Sequence, residues 1–260
     1  MVGDRRRTGP LLAAVAESVK TGDIVLDIGT GTGLLAIAAA GAGASRVYAI
    51  DCDTEALEAA RAAVKKSRFD KVVTFMEGLS FDAKLKKRAD VILCETVGSF
   101  AFDENILATL SDAKRRLLIS GGRIVPAQLE LWGAPIARLP KIEKPADIAK
   151  VKKGDLLAAP TRLAGIDFAK FIPPEIHMKP QCKCTSAGTV VAIAVWPRVT
   201  WFGKETTDAS PLFPPTHWKQ GILSFESRPV KEGERISFEL VIRPHPDDPK
   251  KMTERLWKWS

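Results

Sequence analysis

Two carboxylates, Glu95 and Glu104, close the two ends of the loop Glu95-Thr96-Val97-Gly98-Ser99-Phe100-Ala101-Phe102-Asp103-Glu104. A pair on one loop can grip a planar cation through forked, charge-assisted hydrogen bonds. A local reading is equally open, in which Glu104 caps a helix starting near Asn105 and Glu95 alone is functional. Upstream, Gly29, Gly31 and Gly33 alternate after the apolar run Ile24 to Ile28, which carries one acid, Asp27. Such glycines allow positive φ and let the backbone approach a ligand closely. Asp51 ends the next apolar run, where an acid can accept hydrogen bonds from ribose hydroxyls. Downstream, Thr216-His217-Trp218-Lys219-Gln220 is an unusual string ahead of a predicted strand.

The elements that must position these residues follow a regular order. Strand Ile24–Ile28, the glycine turn, a helix from Leu34 and strand Arg46–Ile50 make the entry of a nucleotide-binding βαβ unit. Residues Thr54 to Lys66 form the next predicted helix, with Thr54 as N-cap. Strands at Val72–Met76 and Ala89–Cys94 follow, then a helix over Ile106–Leu118, and Gly121 to Pro126 turns into the next strand. A helix at Leu11–Val19 precedes them all. This alternation predicts an α/β Rossmann-like domain with a doubly wound, mostly parallel sheet. After Pro126 the pattern is β-rich, at Leu129–Trp132, Val190–Trp196, Gly221–Phe225 and Ile236–Ile242, which predicts an all-β barrel or sandwich. Local helicity is expected only at 143–158 and 166–171. The expected domains are therefore 1–126 and 127–260, the second with a short helical insert near 138–165.

The chain has 260 residues, 45% hydrophobic and 27% charged, which excludes disordered and fibrous classes. Its longest apolar run is too short to span a bilayer, and no signal-peptide segment precedes the first helix. Four cysteines, of which only Cys182 and Cys184 are close, give neither a disulfide framework nor a CxxC pair. A cytoplasmic, reduced protein without membrane partner or metal site is expected. The formal charge is +8. Basic clusters at Lys84–Arg88, Lys141–Lys153 and Lys250–Lys258 lack aromatic interleaving and read as solvated faces, so a nucleic-acid partner is not favoured. The tryptophans near the C-terminus are the one feature pointing the other way.

The Gly-x-Gly-x-Gly spacing with Asp27 before it, and no basic residue placed for a phosphate, resembles motif I of the S-adenosylmethionine-dependent methyltransferases. That resemblance puts Asp27 near the cofactor's ammonium end and Asp51, with Cys52 beside it, at the ribose. Gly78, Leu79 and Ser80 would pass the adenine ring. The whole pattern is similar to the protein arginine methyltransferases. Glu95 and Glu104 match that family's double-glutamate loop, Thr216-His217-Trp218 its Thr-His-Trp loop, and Asp4 and Arg7 its Asp/Arg segment. The resemblance implies S-adenosylmethionine as cofactor, S-adenosylhomocysteine as product, and in-line methyl transfer to a guanidine nitrogen in a cleft between the domains. Glu95, Glu104 and Trp218 would hold the acceptor and Arg7 the cofactor carboxylate, with Glu95 close by. Asp4 and His217 would pair across the domains and, as catalytic residues with the two glutamates, help to dissipate the released proton.

Against the family pattern the chain is a compact form. The tyrosine-rich helix preceding the Asp/Arg segment is not matched, and the only tyrosine, Tyr48, lies in a predicted strand. Aromatic positions of the double-glutamate loop are here Thr96 and Ser99, and the segment between Arg138 and Gly165 is short for a dimerisation arm. A monomer or weak homodimer is expected. The acceptor would be arginine in a protein or peptide. The alternatives are a small guanidine, amine or other small molecule, or a catalytically weak cofactor-binding module.

Overall fold

The computed structural model describes residues 3–144, 147–244 and 253–260. In the first half, helix α1 (Arg5–Ser18) leads into β1 (Ile24–Ile28), α2 (Leu34–Gly41), β2 (Arg46–Asp51), α3 (Thr54–Ser67), β3 (Val73–Glu77), β4 (Ala89–Cys94), α4 (Ile106–Arg116) and β5 (Leu118–Val125). The strands form a parallel sheet in the order β3-β2-β1-β4-β5. Their near-continuous apolar runs fit burial on both faces, and Val25, Leu26, Val47, Ala49, Val91, Ile92 and Leu93 are fully enclosed. The order reverses beside β1, and ligands of open α/β sheets bind at that switch point, off the carboxyl ends of the strands.

The second half is antiparallel. Strands β6 (Gln128–Ile136), β7 (Ile148–Ala149), β8 (Thr161–Asp167), β9 (Ile176–Met178), β10 (Gln181–Lys183), β11 (Gly188–Phe202), β12 (Glu205–Asp208), β13 (Gln220–Val230), β14 (Arg235–Arg243) and β15 (Glu254–Trp259) follow in turn. One sheet runs β7-β13-β11-β6-β8 with β12 on β11, and the other β10-β14-β15 with β9 on β14. The long β11 is its axis, pairing β6, β12 and β13. The α/β Rossmann-like domain followed by a β-barrel-like domain is the expected architecture. Helix α1 spans the seam between the halves, packing on β11 and β12 as well as on α2 and β5.

Several local expectations give way to tertiary contacts. Asp53, not Thr54, caps α3: its carboxylate accepts from the amides of Glu55 and Ala56 at 2.9 and 3.2 Å, while the Thr54 hydroxyl donates to Glu77. The glycines at 121 and 122 lie inside β5 instead of before it. The helical insert near 138–165 is also corrected. Among the described residues that stretch holds β7, a single 3-10 turn at Lys153–Asp155 and the start of β8, with no α-helix. Pro140, Pro160 and Gly154 break helical continuity, β7 pairs with β13, and the Gln220 side chain takes the Val151 amide at 3.0 Å. Residues 145–146 of the insert, and 250–252 of the last basic cluster, lie outside the described residues. At 166–171, β8 continues to Asp167, and Lys114 Nζ then gathers the carbonyls of Phe168, Ala169 and Lys170, which holds the turn non-helical. No described helix is long and apolar enough to cross a membrane. The tryptophans near the C-terminus are not an open stacking platform: their indole N–H groups donate to carbonyls of Ser224 and Glu226 on β13.

Candidate functional site

The chain leaves β1 by a turn that crosses the end of β2. The amides of Gly29 and Thr30 donate to the Ile50 carbonyl at 2.8 and 3.0 Å. Gly33 starts α2 at φ 78°, and a Cβ there would stand 3.1 Å from the Ala60 Cβ. Glycine is required on both counts. Asp51 binds this turn through its own carboxylate, accepting from Gly31 N at 2.8 Å and from Asp53 N at 3.0 Å. Each oxygen retains a lone pair for a ligand hydroxyl. Gly29, Asp51, Cys52, Gly78, Leu79 and Ser80 all line one cavity of about 250 Å³, near the lower end of ligand pockets. Phe81, Asn105 and Thr109 line it too and were not anticipated; no local pattern marks them, because they arrive from outside the glycine motif.

Asp27 is fully buried beneath the turn. Thr30 Oγ1 donates to one of its oxygens at 2.6 Å, and the other has no hydrogen-bond partner among the described residues. Burial pushes its pKa up to about 7, against the pull of the Thr30 hydroxyl. A buried acid with one idle oxygen, an acid at the β2 end and a backbone stripped to glycine fit a nucleoside-bearing cationic cofactor. At Gly78, with φ 119°, a Cβ would meet nothing within 4 Å, so the cavity floor there is bare backbone.

The double-glutamate loop is shaped by its apolar members. Phe100, Ala101 and Phe102 turn inward to almost complete burial, and Val97 joins them. Ala101 and Asn105 take positive φ, and Asn105 opens α4 with no side-chain cap. Glu104 therefore does not cap α4. It stands exposed, lining the first cavity and a second one of about 270 Å³. Glu95, Arg7, Ser99, Asp103, His217 and Trp218 also line that second cavity. Thr96 instead lines the first cavity. Burial raises the Glu95 pKa to about 7, with Arg7 opposing and Glu104 adding to the shift. Glu104 is likewise raised to about 7 by desolvation and by Asp103, with Arg7 opposing. Solvent on the exposed side of Glu104 screens its charge, so the deeper Glu95 carries the firmer shift.

Arg7 and Glu95 pair at 3.0 Å, with side-chain exposures of 6% and 12%. The guanidinium expected on a cofactor carboxylate thus rests on the first glutamate and lines the second cavity. Trp218 lies beneath it: Arg7 is 5.5 Å from the ring centroid, the indole N–H donates to the Val97 carbonyl at 2.7 Å, and Trp201 stacks at 6.3 Å. Asp4 caps α1 through the amides of Arg6 and Arg7 and also accepts the backbone N–H of His217. The contact between Asp4 and His217 runs through that amide, and the imidazole is left exposed.

Two family models divide the chain between them. The model described as ribosomal protein L11 methyltransferase matches residues 3–126, and the arginine methyltransferase oligomerization subdomain matches residues 131–257. Protein arginine N-methyltransferase 6 of Danio rerio is 24% identical over 94% of this chain and 80% of its own length. Protein arginine N-methyltransferase PRMT10 of Arabidopsis thaliana is 38% identical over 52% of this chain and 36% of its own length. Among solved structures, the Trypanosoma brucei PRMT1 enzyme–prozyme heterotetrameric complex with AdoHcy aligns with a TM-score of 0.86 at 23% identity, covering 100% of this chain and 92% of that one. Arabidopsis thaliana protein arginine methyltransferase 10, in an open conformation, aligns at 0.83 and 21% identity, covering 99% and 95%. With two methyltransferase models matched in tandem and relatives of one kind aligned over most of its length, the chain is similar throughout to the protein arginine N-methyltransferases.

Proposed function

We propose that this chain methylates a guanidino nitrogen of arginine in a protein or peptide, with S-adenosylmethionine as donor. The observation that carries the reading is that Glu104 lines both cavities while Glu95 lines the second, so a carboxylate pair borders the place where donor and acceptor would meet. Asp51, Gly29 and the Gly78-Leu79-Ser80 segment would hold the cofactor, which when bound supplies an electrophilic methyl group on a sulfonium. Glu95 and Glu104 accept N–H bonds from two edges of the guanidinium, fix its plane and balance its charge. A carboxylate whose pKa lies near 7 is also suited to receive the proton that the guanidinium nitrogen gives up. Asp4 ties the Thr-His-Trp loop to α1 through the His217 amide, and Trp218 ties it to the double-glutamate loop through the Val97 carbonyl.

The test is single-turnover methylation of an arginine peptide and of small guanidines. Glu95→Gln keeps the shape and removes the charge, so turnover falls by ~10²-fold or more while S-adenosylhomocysteine binding survives. Undiminished methylation by Glu95→Gln removes the carboxylate pair from the mechanism, and methylation of free guanidines alone transfers the assignment to a small-molecule enzyme. We further propose a cytoplasmic protein, on the four free thiols, and a monomer or weak dimer. Between Arg138 and Thr161 the chain offers one two-residue strand and a single 3-10 turn among its described residues, whereas specific interfaces bury more than ~1,000 Å². A concentration-independent dimer in light scattering refutes the last point.

A further inference from the structure

Against the double-glutamate loop, outside the lining of either cavity, lies the start of β15. The Thr253 amide donates to the Asp103 carbonyl at 2.8 Å, and its buried hydroxyl donates to the Phe102 carbonyl at 3.0 Å. Two residues on, the Arg255 guanidinium stacks over the Phe100 ring, 3.8 Å from its centroid, and stands 3.8 Å from Asp103 Oδ2. Arg255 and Asp103 are 13% and 4% exposed. The Asp103 carboxyl is packed so tightly under the loop that a Cβ on Gly98 would stand 2.1 Å from Oδ1. Strand, ring, cation and carboxylate thus form a stack that ends one residue short of Glu104.

We infer that β15 is a working part of the acceptor site, and that Arg255, acting through Asp103 and Phe100, is a positioning residue that sets where Glu104 stands. The inference rests on the arginine reading of the second cavity only for what Glu104 does there. A buried ion pair is weak evidence for stability, since apolar residues of similar volume fill such space at less cost. What this pair adds is directional: if Asp103 rotates away, the desolvated Arg255 keeps only the charge of Asp147 in its favour, and Glu104 is the covalent neighbour of Asp103. Asn105, at φ 59°, turns the chain immediately after Glu104, so the loop's far end is set by helix α4 and its near face by β15. Burial raises the Asp103 pKa and the Arg255 charge opposes the rise, so Arg255 helps keep Asp103 ionised. Nothing in the local sequence of the loop announces the arrangement, because Thr253 and Arg255 lie at the opposite end of the chain.

The experiment compares wild type, Arg255→Gln, Arg255→Lys, Asp103→Asn and the double variant Asp103→Asn/Arg255→Gln in the full chain. Three measurements are made on each: kcat and KM on an arginine peptide, S-adenosylhomocysteine affinity by calorimetry, and hydrogen exchange over residues 95–104. Arg255→Gln is expected to lower kcat about ten- to hundred-fold, the scale of a small misplacement near the chemistry. Cofactor affinity stays within about two-fold, and KM changes less than kcat. Exchange quickens over 98–104 and not in β1 or β4. Arg255→Lys restores the cation, and Asp103→Asn in the Arg255→Gln background removes the stranded charge, so each recovers part of the loss. Wild-type kinetics and exchange in Arg255→Gln overturn the inference, as does a loss of cofactor affinity equal to the loss of kcat, or the absence of rescue by both second changes. If wild type methylates no arginine peptide, the acceptor reading falls, and exchange at 98–104 decides the brace by itself.

Discussion

Glu95 and Glu104 face one small cavity across a single guanidinium, Arg7, that pairs with the first of them. Burial raises both pKa values to about 7; the Glu104 charge adds to the Glu95 rise, and the Asp103 charge adds to that of Glu104. On the proposed mechanism both groups act as carboxylates, so kcat/KM for an arginine peptide should fall below about pH 7, on the acidic limb that reports the free enzyme. A bound guanidinium favours the ionised forms, so the corresponding limb of kcat should lie at lower pH. Stability has the opposite sign. The folded pKa of Glu95 exceeds its ordinary 4.5, so the native state binds more protons than the unfolded chain between these values. Its contribution is therefore lost as pH rises towards 7. Thermal melts of the ligand-free protein should show Glu95→Gln less sensitive than wild type over that window; equal sensitivity would mean that Glu95 is not perturbed.

The double-glutamate loop works as an element because of how its middle is packed. Phe100 and Phe102 anchor it, and the Asp103 carboxyl occupies the space that a side chain at 98 would need. Gly98→Ala places a Cβ 2.4 Å from the Asp103 Cγ, and the carboxyl is enclosed on its other side by Arg255 and Phe100. Overpacking of this kind costs ~1–3 kcal/mol. Denaturant unfolding of Gly98→Ala should show that loss. S-adenosylhomocysteine affinity should change little, since Gly98 lines the second cavity and not the first. A variant as stable as wild type would show that the loop relaxes freely and that Asp103 is not held.

At the scale of the whole molecule, Trp218 is the tie between halves. It reaches Val97 in the double-glutamate loop, stacks on Trp201 in β11 and lies under Arg7 of α1. Trp218→Ala removes a buried indole and its hydrogen bond together, and such truncations cost ~3–5 kcal/mol. The melt should also lose cooperativity, with the α/β half and the β half separating in calorimetry. One undiminished transition would refute Trp218 as the tie.

What the sequence determined by itself is the part whose physics is local. Alternating apolar strands and helices with short connections dictate a doubly wound sheet. Glycines at 29, 31 and 33 can be read without a structure because positive φ restricts the residue type directly, and Asp51 because it ends a strand. The motifs at Glu95, Glu104 and Thr216–Trp218 were enough to suggest the family. The tertiary structure alone decided how the pieces engage: Asn105 rather than Glu104 opening α4, Arg7 lying on Glu95, Asp4 taking an amide rather than the imidazole of His217, Arg255 behind Asp103, and strand in place of helix after Arg138. Each of these depends on partners far away in the chain, as with Trp218 and Val97, 121 residues apart, or Thr253 and Phe102, 151 apart. Local propensity carries no term for such contacts, and burial of the side chains that make them outweighs it.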